Sequence, residues 1–80
     1  MNHKFILYNF EEIQEEIETL MKKLKRGDIS HAELYSGVQH VYHHLNIAWN
    51  ARDTEPGKIA DLDDPMMDVW NQFPTDIKLI

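Results

Sequence analysis

Two histidines in the middle of the chain have the spacing of a helical metal-binding pair. His40 and His44 stand four residues apart, so on an α-helix both imidazoles project from the same side of successive turns. Imidazole nitrogens bind zinc at about 2.0–2.1 Å. His40 and His44 are therefore candidate ligands of a divalent metal such as zinc, and the adjacent His43 is a further candidate ligand.

This pair is an incomplete metal site, because zinc sites in proteins have three or four protein ligands and the chain has no cysteine. The missing ligands would have to come from a second copy of the chain, from His3, or from the acidic residues Asp61, Asp63 and Asp64. In the alternative interpretation the histidines form a polar outer face of their helix, or one of them hydrogen-bonds a carboxylate of the preceding helix.

Residue patterns typical of catalysis are otherwise scarce. The only serines are Ser30, which is expected to cap a helix, and Ser36, which lies inside one. The glutamate of the helical metalloprotease motif is missing, because Val41 follows His40. Glu12 and Glu15 are expected to face water, opposite the apolar residues of their helix. The sequence therefore favours a non-catalytic protein.

Size and charge further narrow the classes of protein to which this chain could belong. Eighty residues predict one small domain, 1–80, with a limited core. The net charge is −6, from 14 acidic and 8 basic side chains, so the chain should repel nucleic acid. No stretch has the roughly 20 apolar residues of a membrane span. We therefore expect a cytoplasmic protein with no nucleic-acid or membrane partner.

The first long helix is predicted at 9–26. Asn9 and Glu12 have the spacing of a capping box, and Gly27 is a typical left-handed end. Apolar residues recur every three or four positions, which predicts one buried stripe; they are Phe10, Ile13, Ile17, Leu20, Met21 and Leu24.

The second long helix is predicted at 30–52. Ser30 and Glu33 form its capping box. Its predicted buried stripe consists of Leu34, Val38, Val41, Leu45 and Ala48. Since the connection between the helices is very short, the two should pack as an antiparallel hairpin.

Aromatic residues widen the stripe of the second helix on one flank. Tyr35, Tyr42 and Trp49 recur every seventh position, and a narrow stripe on the first helix cannot cover them. The cover is expected to be either the C-terminal segment or a second copy of the chain, which would make a dimeric four-helix bundle.

The C-terminal third has a different composition. Residues 53–63 are predicted to be an acidic linker, 64–73 a short helix and 74–80 an extended tail. A strand pair between residues 5–8 and 77–80 is the alternative for the two ends of the chain.

Together these patterns predict an all-α fold and a non-catalytic protein–protein interaction module that forms a homodimer or binds another protein. The expected interface residues are the types enriched at interfaces: Tyr35, Tyr42, Trp49, Arg52 and Trp70. The alternative function is metal binding at His40 and His44.

Overall fold

The fold is an antiparallel pair of long helices with a short third helix, in a computed structural model that describes residues 1–58 and 64–80. Helix α1 spans His3–Arg26, α2 spans His31–Asn50 and α3 spans Met67–Trp70. The described residues contain no strand. The predicted all-α hairpin with a short C-terminal helix is thus confirmed. Part of the predicted acidic linker, 59–63, lies outside the described residues.

Helix α1 begins six residues earlier than predicted, so the prediction of Asn9 as its cap is wrong. The cap is Asn2, whose Oδ1 accepts a hydrogen bond from the Phe5 N–H at 3.1 Å. The Asn2 amide also donates to Thr54 Oγ1 at 3.1 Å and to the Glu55 carbonyl at 2.7 Å. This anchor to the chain beyond α2 fixes the start of the helix, so residues 5–8 are helical rather than extended.

The turn between α1 and α2 has the predicted chemistry. Gly27 adopts the left-handed conformation with φ 66° and ends α1. Ser30 Oγ accepts from the Glu33 N–H at 3.1 Å, and Glu33 Oε1 accepts from the Ser30 N–H at 3.2 Å. Lys23 Nζ donates to the other oxygen of Glu33 at 2.7 Å. This bond, with the bonds from Ser30, lowers the pKa of Glu33 to about 2.

The close contact between α1 and α2 lies at Gly37. A Cβ atom at this position would stand 2.6 Å from Leu20 Cδ2, so the absence of a side chain lets the helices approach. Gly37, His44 and Ala48, each buried, are spaced to face α1. As a result Leu34, Val38 and Leu45 keep 39%, 41% and 42% of their surface exposed.

The predicted buried stripe of α1 is also turned partly to solvent. Of its six residues, Leu20 is buried and Ile13 partly buried. The other four remain exposed: Phe10, Ile17, Met21 and Leu24. Within one chain, therefore, much of both stripes stays exposed, because the helices meet along Gly37 and His44 instead.

A small core closes the open end of the hairpin. Phe5, Ile47, Ala51 and Trp70 form it, and the rings of Phe5 and Trp70 meet edge to face with centroids 5.8 Å apart. This core holds α3, which is shorter than the helix predicted at 64–73.

After α3 the chain crosses the outer side of α2. Asn46 Nδ2 donates to the Asn71 carbonyl at 2.9 Å, and Asn50 Nδ2 donates to the carbonyls of Trp70 and Gln72 at 2.9 and 2.7 Å. These two asparagines hold the tail to α2 through its backbone. Residues 71–80 form neither helix nor strand.

The packing at Gly37 predicts a position-specific effect. Gly37→Val should destabilise the fold by about 1–3 kcal/mol, because its methyl groups overpack against Leu20. Ser36→Val, on the exposed neighbouring position, should change stability by less than about 0.5 kcal/mol. Urea unfolding followed by circular dichroism measures both, and equal effects would contradict a close contact at Gly37.

Candidate functional site

His44 lies between the two long helices rather than on the outer face of α2. Its exposure is 8%. His40 and His43, which flank it on the same side of the hairpin, are partly exposed. The interpretation of all three histidines as a polar outer face is therefore wrong for His44.

The hydrogen bonds of Asn9 fix the protonation of the His44 ring. Asn9 Nδ2 donates to the Phe5 carbonyl at 2.9 Å, an atom that can only accept. The other end of this amide, Oδ1, lies 2.8 Å from His44 Nδ1. Since Oδ1 can also only accept, His44 Nδ1 carries the proton and donates it. In the neutral ring Nε2 is then left with its lone pair.

The same reasoning applies to His40. Its Nδ1 lies 3.3 Å from Glu16 Oε1, and an ionised carboxylate only accepts. His40 Nδ1 therefore carries a proton, and in the neutral ring the lone pair is again on Nε2. The two Nε2 atoms face each other at 3.0 Å.

Glu12 completes a cluster of three potential ligands. One ligand atom each of Glu12, His40 and His44 lies within 4.8 Å of the other two. The expectation that Glu12 faces water is wrong, since it is partly buried beside the histidines. Burial and the negative charge of Glu12, to which the Tyr8 hydroxyl is hydrogen-bonded, raise the pKa of Tyr8.

Sequence reasoning missed Glu12, although a signal for it was present. In an antiparallel hairpin, residues equally distant from the turn lie opposite each other. Counting outward from the turn places Glu16 opposite His40, and Glu12 opposite His44. Judging Glu12 only by its own helix overlooked this pairing.

The other predicted ligands lie elsewhere. The His43 ring packs edge-on against His44, with centroids 5.1 Å apart, and His43 is not part of the cluster. Asp64 is buried and forms an ion pair with Lys58. Asp61 and Asp63 fall outside the described residues. Among the described residues, Glu12 joins the His40–His44 pair, and none of the additional ligands predicted from the sequence does.

Burial and neighbouring charges oppose protonation of His44. They lower its pKa from 6.5 to about 4, with burial as the main cause and the positive charge of protonated His40 and His43 as the next causes. The negative charge of Glu12 acts in the opposite direction. Burial also lowers the pKa of His43.

The opposite side of the hairpin is apolar and exposed. Its side chains, called here the apolar face, are each between 39% and 53% exposed: Phe10, Ile17, Met21, Leu24, Leu34, Val38, Tyr42 and Leu45. At the end near the tail, a trough of about 710 Å³ opens in this face. Ile6, Phe10 and Leu45 line it, together with Phe73 of the tail.

The tail covers part of the predicted aromatic flank. The Phe73 ring meets Tyr42 edge-on at 5.3 Å, and Trp49 Nε1 donates to Asp76 Oδ1 at 2.8 Å. Arg52 stacks on the Trp49 ring at 3.8 Å. Even so, Tyr42 is 48% exposed and Tyr35 69% exposed.

Trp70, which the sequence suggested as an interface residue, is placed differently from the other four. It is buried against Phe5 within its own chain. Tyr35, Tyr42, Trp49 and Arg52 retain contact with solvent.

The lowered pKa of His44 predicts acid sensitivity. Between pH 6.5 and 4 the unfolded chain binds more protons at this position than the folded chain, so stability falls as the pH falls through this window. From pH 7 to pH 5 the loss should be about 2 kcal/mol. Urea unfolding in EDTA at one protein concentration measures it.

The matched variants for this measurement are His44→Gln and His31→Gln. His44→Gln removes the titrating group, so most of the difference in unfolding free energy between pH 7 and pH 5 should disappear. His31 is exposed at the start of α2, so His31→Gln should keep that difference. A pH effect that is the same in both variants would contradict the assignment to His44.

No protein-family model matches the chain, and neither a curated protein nor a solved structure is significantly similar to it. In the part of the chain that the structure describes, no helix is long and apolar enough to span a membrane.

Proposed function

We propose that this chain is a non-catalytic interaction module whose apolar face binds a second copy of the chain. The observation that carries the proposal is the set of eight apolar side chains that α1 and α2 leave exposed on one side. Two such hairpins stacked face to face form a four-helix bundle, in which each copy covers the other.

The surface area of a single chain supports this proposal. The chain exposes 6333 Å², whereas a folded monomer of its mass, 9.5 kDa, exposes about 5,000 Å². A dimer interface of ordinary size buries about 800 Å² on each partner. Burial of that area would remove more than half of the surface that this chain exposes beyond the value for a folded monomer of its mass.

The shape of the chain supports it as well. The radius of gyration is 14.0 Å, compared with about 12 Å for a compact domain of this length. The principal extents are 42 × 25 × 25 Å, so one dimension is much longer than the others. A two-helix layer is elongated in this way because it lacks the second layer that most domains have.

Charge favours a second copy at this face in particular. None of the eight side chains of the apolar face is charged, and by helical periodicity the five glutamates of α1 project to other sides. Two chains of net charge −6 would repel each other through any acidic surface. The apolar face is where two copies can meet with least repulsion.

Sedimentation equilibrium tests the proposal. At tens of micromolar the wild-type chain should sediment as a dimer. Val38→Glu places a carboxylate in the middle of the apolar face and should weaken the dimer at least about 100-fold, because the charge loses its hydration on association.

The matched control is Gln39→Glu, which adds the same charge on the neighbouring, exposed residue. It should leave the dimer intact. A wild-type chain that sediments as a monomer at this concentration, or equal weakening by both substitutions, would contradict the proposal.

A further inference from the structure

We propose that Glu12, His40 and His44 bind one divalent transition-metal ion of the zinc class. The site lies within a single hairpin, on the side away from the apolar face, so it does not depend on self-association. The argument begins with the distance between the two histidine rings.

The two Nε2 atoms are placed as neighbouring ligands of one ion. They lie 3.0 Å apart. Two nitrogens bound to the same ion at about 2.0–2.1 Å are about 2.9–3.4 Å apart for bond angles between octahedral and tetrahedral. The observed distance falls inside this range without any movement of the helix that carries them.

The outer ring nitrogens are already oriented as in metal sites. A ligating histidine normally donates its second N–H to a carboxylate or a carbonyl oxygen. Here His44 donates to Asn9 Oδ1 at 2.8 Å and His40 donates to Glu16 Oε1 at 3.3 Å. Both partners belong to α1, so the packing of the hairpin itself leaves the two Nε2 atoms beside each other.

Two lone pairs this close repel each other unless one cation binds both of them. That cation is either a proton, which would make one ring an imidazolium, or a metal ion. Glu12 supplies a carboxylate beside the same point, and its negative charge offsets part of the charge of a divalent ion. Three protein ligands of this kind leave a fourth position open, as in zinc sites that hold a water molecule.

The ligand types determine which metals fit. Two imidazoles and one carboxylate suit zinc, cobalt or nickel ions, whereas magnesium and calcium prefer sites made of oxygen atoms alone. Magnesium is therefore the negative control for binding.

The test is titration of the full chain with Co²⁺ at neutral pH, followed by visible absorption and by competition with Zn²⁺. We expect intense bands of an ordered cobalt site, saturation at one ion per chain, displacement by zinc and no competition from magnesium. Zinc at about 100 times its dissociation constant should raise the thermal midpoint by roughly 10 °C or more, and EDTA should reverse the rise.

Variants assign the site. His40→Ala and Glu12→Gln each remove a ligand and should weaken binding by more than the 10–100-fold that loss of an outer-shell partner typically causes. His31→Ala and Glu11→Gln are the matched controls, since both residues are exposed and outside the cluster, and they should bind as the wild type does. Circular dichroism of His40→Ala should show unchanged helix content, since this side chain is partly exposed.

The Val38→Glu variant separates this inference from the proposed function. It should still bind one cobalt ion per chain, whether or not it dimerises. Absence of saturable cobalt and zinc binding, or equal binding by His40→Ala and the wild type, would overturn the inference and leave a shared proton as the link between the rings.

Discussion

The contact of Leu20 with Gly37 sets the rotation of α2 on α1, and the rest of the structure depends on that rotation. A Cβ atom at this position would overlap the Leu20 side chain and force it to shift. This approach places His44 against Asn9 on one side of the line of contact between the helices. Val38 and Leu45 lie on the other side. Had α2 packed along its most apolar stripe, the histidines would have faced solvent and the hairpin would have buried more of its own surface.

This rotation gives the hairpin two chemically different sides. On one side, carboxylates of α1 lie beside histidines of α2, and polar side chains form hydrogen bonds between the two helices. The other side is uncharged and has almost no polar atoms to satisfy. A metal ion held by Glu12, His40 and His44 would join α1 to α2, and would thereby stiffen the two-helix layer that presents the apolar face to a second copy.

Local signals in the sequence predicted the turn but not the rotation. Gly27 and the Ser30–Glu33 box act through bonds to nearby backbone, so their pattern alone was sufficient. The sequence pattern placed the cap at Asn9, and Asn2 is held as the cap by bonds to the segment after α2. The choice of Asn2 is therefore a tertiary effect that no local pattern contains.

Predicting the cluster of Glu12, His40 and His44 also required knowledge of contacts between distant parts of the chain. The spacing of His40 and His44 was sufficient to indicate a pair, because both lie on one helix. Glu12, Glu16 and Asn9 join them only through the pairing of two helices. The apolar stripes misled for a related reason: periodicity identifies a face that avoids water but does not say whether the same chain covers it.

The anchoring of Asn2 has a consequence for the order in which the chain acquires its structure during synthesis. The backbone N–H of Asn2 donates to the Arg52 carbonyl at 2.7 Å, and its amide reaches residues 52 to 56 positions further along the chain. A ribosome must therefore release both long helices before the first turn of α1 can receive these partners. Until then the beginning of α1 lacks the bonds that hold it against the segment after α2.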